Sequence, residues 1–189
     1  MDDCSIFVGL GNPGAQYSGN RHNVGFMIID AIAEAVASSF FKKISSLLET
    51  SSFSLKDRKI LLAKPLTYMN LSGRAVRFLL DFYKIKSSSV YVFHDDIDLE
   101  FGRIKIKKGG GNGGHNGLRS IDALIGTDYW RIRIGVGRPR ETSMVASYVL
   151  HDFESDEAIA ISQIASKISD NLSLLLSDPK KLEQELNKK

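Results

Sequence analysis

A chain of 189 residues that is 43% hydrophobic and 25% charged can bury a real core, which argues against a disordered protein. No apolar stretch reaches the roughly 20 residues a helix needs to cross a bilayer, and the opening MDDCSIFVGLGNPG is too acidic and too broken for a signal peptide. A single cysteine, Cys4, leaves no internal disulfide and suits a reducing cytosol, so a cytoplasmic monomer is the expectation, with Cys4 as packing or a surface thiol.

In chain order, Ser5 to Leu10 reads as a first strand, followed by a loop of Gly, Asn and Pro. A helix over about Val24 to Ala37 has Phe26, Ile29, Ala33 and Val36 on one face. SSFSL and KILLA, joined by Lys56, Asp57 and Arg58, form a hairpin. Leu71 to Tyr83 is a second helix with Ser72 as its N-cap and Val76, Leu79, Leu80 and Tyr83 along one side. VYVFHD at 90–95 is a continuous apolar strand of the kind buried on both faces of a sheet. Arg103 to Lys107 alternates as a half-exposed strand does, GGGNGG is a mobile loop, and Leu118 to Ile125 is a short helix. Trp130 to Val136 is another strand, with its charges on one face. One long helix closes the series, with Ile161, Ile164, Ala165, Ile168, Leu172 and Leu175 in a stripe that opens at Ser155-Asp156-Glu157 and stops at Asp178-Pro179. A lysine-rich tail forms a short or frayed helix. Strands and helices interleave, which predicts a single-domain α/β fold over residues 1–189. Its mixed, twisted β-sheet is flanked by helices on both faces.

The net charge of +3 is unevenly spread, because Phe101 to Arg140 holds nine basic residues and two acidic ones. A basic patch on an otherwise acidic chain suits a polyanionic partner, and equally a solvated face of a strand and helix.

Two glycine motifs resemble nucleotide sites. Gly9-Leu10-Gly11-Asn12-Pro13-Gly14 fits G-x-G-x-x-G after a strand, but Pro13, Gly14 and Gly19 keep the chain irregular until about Asn23, where a dinucleotide fold would already have opened its helix on the pyrophosphate. GGGNGGHNG lacks the Gly-Lys-Ser/Thr ending that places lysine and hydroxyl on phosphate and Mg²⁺. No nucleotide cofactor is expected from either.

Of four histidines, His22 lies in a polar loop just ahead of a helix. A helix N-terminus disfavours imidazolium, so this placement lowers its pKa and keeps it available as a base; the alternative is a histidine that caps its own helix. His94-Asp95-Asp96 follows an apolar strand, and alternation sends Asp95 to the face opposite His94 and Asp96. A carboxylate at a strand's C-terminal end can accept the His22 ring N–H and fix its tautomer. No helical His-x-x-x-His or other compact ligand set is visible, so no metal is expected. With no G-x-S-x-G elbow, activated water is the economical attacker. Asn12, Asn70, Asn112 and Asn116 can grip a peptide backbone or donate to an oxyanion, or else serve turns and caps.

Six segments in this order resemble the bacterial-type peptidyl-tRNA hydrolase family: VGLGNPG at 8–14, Tyr17 with RHNVG at 21–25, KPLTYMNLSG at 64–73, HDDIDL at 94–99, GGGNGGHNGLRSI at 109–121 and RIRIGVGRP at 131–139. The resemblance implies a metal-free esterase that releases peptide from the tRNA 3′ end. It implies His22 as general base, Asp95 as its orienting partner, and Asn12, Asn70 and Asn116 around the scissile ester. Tyr17, Tyr68 and Met69 would shape the pocket for peptide and terminal nucleotide. The acceptor stem is read mostly by shape and phosphate charge, and Lys105, Lys107 and Arg133 are the candidates for phosphate contact. The runner-up is a non-catalytic RNA-binding protein on the same scaffold. Residues 145–153 match the family less clearly.

Overall fold

A computed structural model describes residues 4–38 and 41–188. The apolar runs become the strands β1 (Cys4–Gly9), β4 (Arg58–Pro65), β5 (Val90–Asp96) and β7 (Trp130–Gly135), which lie parallel at the centre of a seven-stranded sheet. Antiparallel strands β2 (Lys42–Ser45), β3 (Leu48–Leu55) and β6 (Ile104–Lys108) complete the order β2-β3-β4-β1-β5-β7-β6. The expected hairpin is β3–β4; its turn residue Lys56 takes φ 53°, the left-handed backbone such a tight turn demands.

Helices cover both faces, as the interleaved pattern predicts. One face carries α1 (Val24–Ala35), α5 (Ser155–Asp170), α6 (Leu172–Ser177) and α7 (Pro179–Leu186), packed on Phe7, Phe93, Ile132 and Ile134. The other carries α2 (Ser72–Tyr83) and α3 (Asn116–Ile125), packed on Ile6, Val8, Val90 and Val92. Burying Ile28, Ile29 and Ile32 of α1 completely contributes about 1.5–3 kcal/mol for each side chain. No helix among the described residues is long and apolar enough to cross a membrane.

The glycine motif after β1 serves packing. A Cβ on Gly9 would stand 2.3 Å from the Gly25 carbonyl oxygen, and one on Gly25 would stand 2.3 Å from the carbonyl oxygen of Phe93. The start of α1 therefore crosses directly over β1 and β5, and Phe26 N–H donates to the Leu10 carbonyl at 3.2 Å. This crossing brings the turn before α1 to the C-terminal ends of the strands.

Several local expectations are corrected. Ser72 is the first residue inside α2, not its cap, and its hydroxyl donates to the Met69 carbonyl. The closing stripe is two helices, α5 and α6, broken at Asn171, although Leu172 and Leu175 stay buried across the break. Glu154 and Glu157 form the capping box that opens α5. The tail is the helix α7, anchored by buried Leu182 and Leu186. It protects the sheet edge: Asn187 bonds both the N–H and the carbonyl of Ile104, and Glu183 accepts from Ile106 N–H. Edge strand β2 and the five-residue α4 (Val145–Val149) were not anticipated, being too short to show a period.

Candidate active site

Cluster membership shows the alternation along β5: Tyr91 and Phe93 pack toward α1, Val90 and Val92 toward α2 and α3. Asp95 therefore faces α1, while Asp96 on the opposite face meets Arg133 Nε at 2.7 Å. His22 occupies a single 3-10 turn, Arg21–Asn23, delivered to this edge by the α1 crossing. Its Nδ1 lies 2.8 Å from Asp95 Oδ1. Asp95 is 3% exposed and so desolvated, which makes the bond a strong one.

His22 does not cap α1. Asn23 is the N-cap residue, and its carboxamide instead grips the Asn12 backbone at both N–H and carbonyl. The expected lowering of the His22 pKa is also overturned. Burial does push the ring down, but the charge of Asp95 and its hydrogen bond outweigh burial, and the pKa is raised above 6.5. Burial alone would raise Asp95; His22 and His115 instead hold its carboxyl well below the usual carboxylate range.

A residue that sequence reasoning passed over completes the cluster. His115 Nε2 donates to the same Asp95 oxygen at 2.9 Å, while its Nδ1 accepts N–H from Gly117 and Leu118. That makes His115 the N-cap of α3 and places its proton on Nε2. The signal was the histidine immediately before a helix; a polar side chain there was assigned to Asn116 instead. Asn116, freed from capping, is exposed at the cavity rim. His94 packs edge-on against His115 with centroids 5.1 Å apart, and burial is the chief cause that pushes its pKa down to about 3.

The fold therefore assembles what the sequence did not display: His22, Asp95 and His115 offer ligand-type atoms within 4.8 Å of one another. The nitrogens stand 2.8 and 2.9 Å from one shared oxygen, with a proton between each pair. A zinc site would need those protons gone and all three atoms turned to one point about 2.0–2.2 Å away. The observed geometry is that of two donors on one carboxylate.

A cavity of about 410 Å³ opens over the pair, lined by His22, His94, Asp95, His115, Asn116 and the α4 residues Val145, Ala146 and Val149. Asn12 is not among the lining residues; it is 8% exposed, and its Oδ1 accepts Met69 N–H at 2.8 Å. The side-chain amide N–H groups of Asn12 have no hydrogen-bond partner among the described residues and remain available as donors. Met69 is buried and supports Asn12 through its backbone, and Tyr68 is 60% exposed. Asn70 lines a separate groove of about 500 Å³ between α2 and α3, which Asn116 shares with Arg74 and Arg119. Tyr17 is half-buried on the 3-10 turn Ala15–Tyr17 that follows the Asn12 loop. Asn112 keeps the bland role: its Oδ1 accepts from Gly114 N–H within the loop.

A small trough of about 80 Å³ shares His94, Asp96, Asn112 and Gly113 with the main cavity and continues to Lys107, Arg131 and Arg133. Lys105 pairs in register with Arg133, and Lys107 with Arg131, so the four cations share one face. Arg131 is wholly buried on the face that carries the strand's charges. It pairs with Asp122 at 2.8 Å and holds the carbonyls of Gly110 and Gly111, which pins the base of the glycine loop. Burial, then the Arg133 and Arg131 charges, lower the Lys107 ammonium pKa. Crowded cations of this kind favour an anion.

A mixed α/β sheet with a buried His–Asp pair at the C-terminal ends of its strands, facing a cavity, has the layout of an α/β enzyme site and the groups for general acid–base chemistry. The family model described as Peptidyl-tRNA hydrolase matches residues 6–189. A Peptidyl-tRNA hydrolase of Rickettsia canadensis (strain McKiel) is 50% identical over 184 residues, covering 97% of this chain and 98% of the relative. One from Rickettsia bellii (strain RML369-C) is 48% identical over 179 residues, covering 95% and 96%. The crystal structure of peptidyl-tRNA hydrolase from Acinetobacter baumannii superposes with a TM-score of 0.91 at 32% identity, covering 99% of this chain and 96% of that one. The chain belongs to the peptidyl-tRNA hydrolase family.

Proposed function

We propose that this protein hydrolyses the ester between a peptide, or an N-blocked amino acid, and the 3′ end of tRNA, using water activated by His22. The observation that carries this is the 2.8 Å contact of His22 Nδ1 with Asp95, which leaves Nε2 without a partner among the described residues, in a ring that lines the cavity. Nε2 takes a proton from water as the water attacks the ester carbonyl; the imidazolium is stabilised by Asp95. His115 holds the carboxylate from its other side. Asn12, oriented by the Met69 N–H bond to its Oδ1, serves as a donor to the developing oxyanion through its amide N–H groups. The proton on His22 then passes to the departing ribose oxygen. Asn116 steadies the substrate at the rim, and Asn70, Tyr17, Tyr68 and Met69 are assigned to its surroundings.

The acceptor stem enters from the trough side, with Lys105, Lys107 and Arg133 on its phosphates. On this reading the chain is one domain acting as a monomer in the cytoplasm, and the reaction needs no metal. The test uses purified protein, an N-acetylated aminoacyl-tRNA and excess chelator. Release of the acetylated amino acid with chelator present, and its loss in His22→Ala, is the expected result. Binding without turnover in the parent protein, or dependence on added metal, contradicts the proposal.

A further inference from the structure

Arg21 stands next to His22, is 6% exposed, and is absent from the lining of the main cavity. Its backbone N–H donates to the His151 carbonyl at 3.1 Å. Its Nη1 donates to the carbonyls of His151 at 3.3 Å and Asp152 at 2.7 Å, and Nη2 meets Glu157 Oε2 at 2.6 Å. The guanidinium lies 4.5 Å from the centre of the Tyr148 ring and 5.4 Å from that of Phe153. Asn20 adds a bond from Nδ2 to Asp152 Oδ1 at 2.6 Å, and Phe153 N–H donates to the Gly19 carbonyl.

These contacts join pieces of chain some 130 residues apart: the His22 turn, the C-terminal root of α4, and the first turn of α5. Tyr148 belongs to α4, and its hydroxyl donates to the Val136 carbonyl. The same five-residue helix presents Val145, Ala146 and Val149 to the cavity that His22 lines. The turn bearing His22 is only three residues long and has no side-chain cap at its N-terminus. The α1 crossing, Asp95 and the Asn23–Asn12 bonds hold it on the sheet side, and the Arg21 contacts are what tie it to α4 and α5.

We infer that Arg21 is a positioning residue: it docks the root of α4 onto the His22 turn, so that the apolar cavity wall and the general base hold one relative placement. The inference rests on the reading of His22 as base. A planar fork that donates to two carbonyls and a carboxylate while lying near the faces of two aromatic rings cannot be replaced by a point charge. Small errors in the placement of reacting groups cost rate rather than affinity.

The test is single-turnover hydrolysis of an N-acetylated aminoacyl-tRNA with enzyme in excess, at a temperature where every variant is folded by circular dichroism. In Arg21→Lys the maximal rate should fall about 10- to 100-fold while the half-saturating enzyme concentration changes less than about threefold. Glu157→Gln, whose amide oxygen still accepts from Nη2, should lose rate in the same direction but less. Leu182→Ala, a destabilised control in the α7 core far from the cavity, should keep its rate. A parental rate in Arg21→Lys, a loss confined to half-saturation, or an equal rate loss in Leu182→Ala overturns the positioning role. An active His22→Ala overturns the base assignment itself, whereas an inactive His22→Ala beside an unaffected Arg21→Lys refutes only the inference drawn from Arg21.

Discussion

Asp95→Asn removes a charge while leaving an acceptor in place. Oδ1 receives both His22 Nδ1 at 2.8 Å and His115 Nε2 at 2.9 Å, so one amide oxygen can keep both donors and the His22 tautomer survives. Two opposing effects follow. The charge that holds the His22 pKa above 6.5 disappears, burial then dominates, and the pKa falls. A base must be unprotonated to act, so the acid limb of kcat/KM moves to lower pH. The imidazolium formed in the transition state also loses its counter-charge. Hydrogen bonds to charged groups contribute about 1.5–3 kcal/mol against about 0.5–1.5 for neutral ones, a difference of about 1–1.5 kcal/mol, so the plateau should drop roughly 5- to 15-fold. This is well short of the about 10⁴-fold loss seen where such a substitution imposes the wrong tautomer. The assay is kcat/KM on an N-acetylated aminoacyl-tRNA across roughly pH 5 to 9. An acid limb that stays put or moves to higher pH would refute the electrostatic reasoning, and a parental plateau would refute the role of Asp95.

Three further outcomes are expected. His94 has a folded pKa of about 3 against an ordinary value of 6.5, so below pH 6.5 the unfolded chain gains a proton that the folded chain does not. Its contribution to stability is whole above 6.5 and is lost as pH falls toward 3; urea titrations of His94→Gln should show a shallower acid slope, and an unchanged slope would count against this assignment. Lys107→Gln and Arg133→Gln should each weaken tRNA binding and reduce the slope of log affinity against log salt by about one phosphate contact, whereas unaltered slopes would remove these residues from the interface. His115→Ala removes the α3 cap and one donor to Asp95, so it should cost about 1 kcal/mol in denaturant unfolding and lower turnover as well. Full activity would leave His115 as a cap alone.

The long elements were legible because each carried its own period. The buried strand VYVFHD, the hairpin and the α5 stripe appear with small shifts at their ends. Asp95 was readable as the partner of His22 because alternation along a strand survives to its last residue. What stayed hidden depended on contacts between distant segments. The compact His22–Asp95–His115 cluster exists only because α1 and α3 begin at the same sheet edge, a convergence no local pattern reports. The His22 pKa was misjudged in sign, since the sequence names Asp95 as a partner but does not show the 2.8 Å contact by which its charge and hydrogen bond outweigh burial. Likewise the sequence placed Arg131 on the charged face of its strand without showing that it is buried there. Its partner Asp122 lies on α3, across the sheet face.

The central claim is that the free nitrogen of His22 is the base in ester hydrolysis. The most direct measurement sets the His22 titration, followed by ¹⁵N NMR of the imidazole, beside the acid limb of kcat/KM in the same buffers. The two should share one midpoint above 6.5, with rate rising as the ring loses its proton. A ring that titrates at one pH while the rate turns at another would contradict the account.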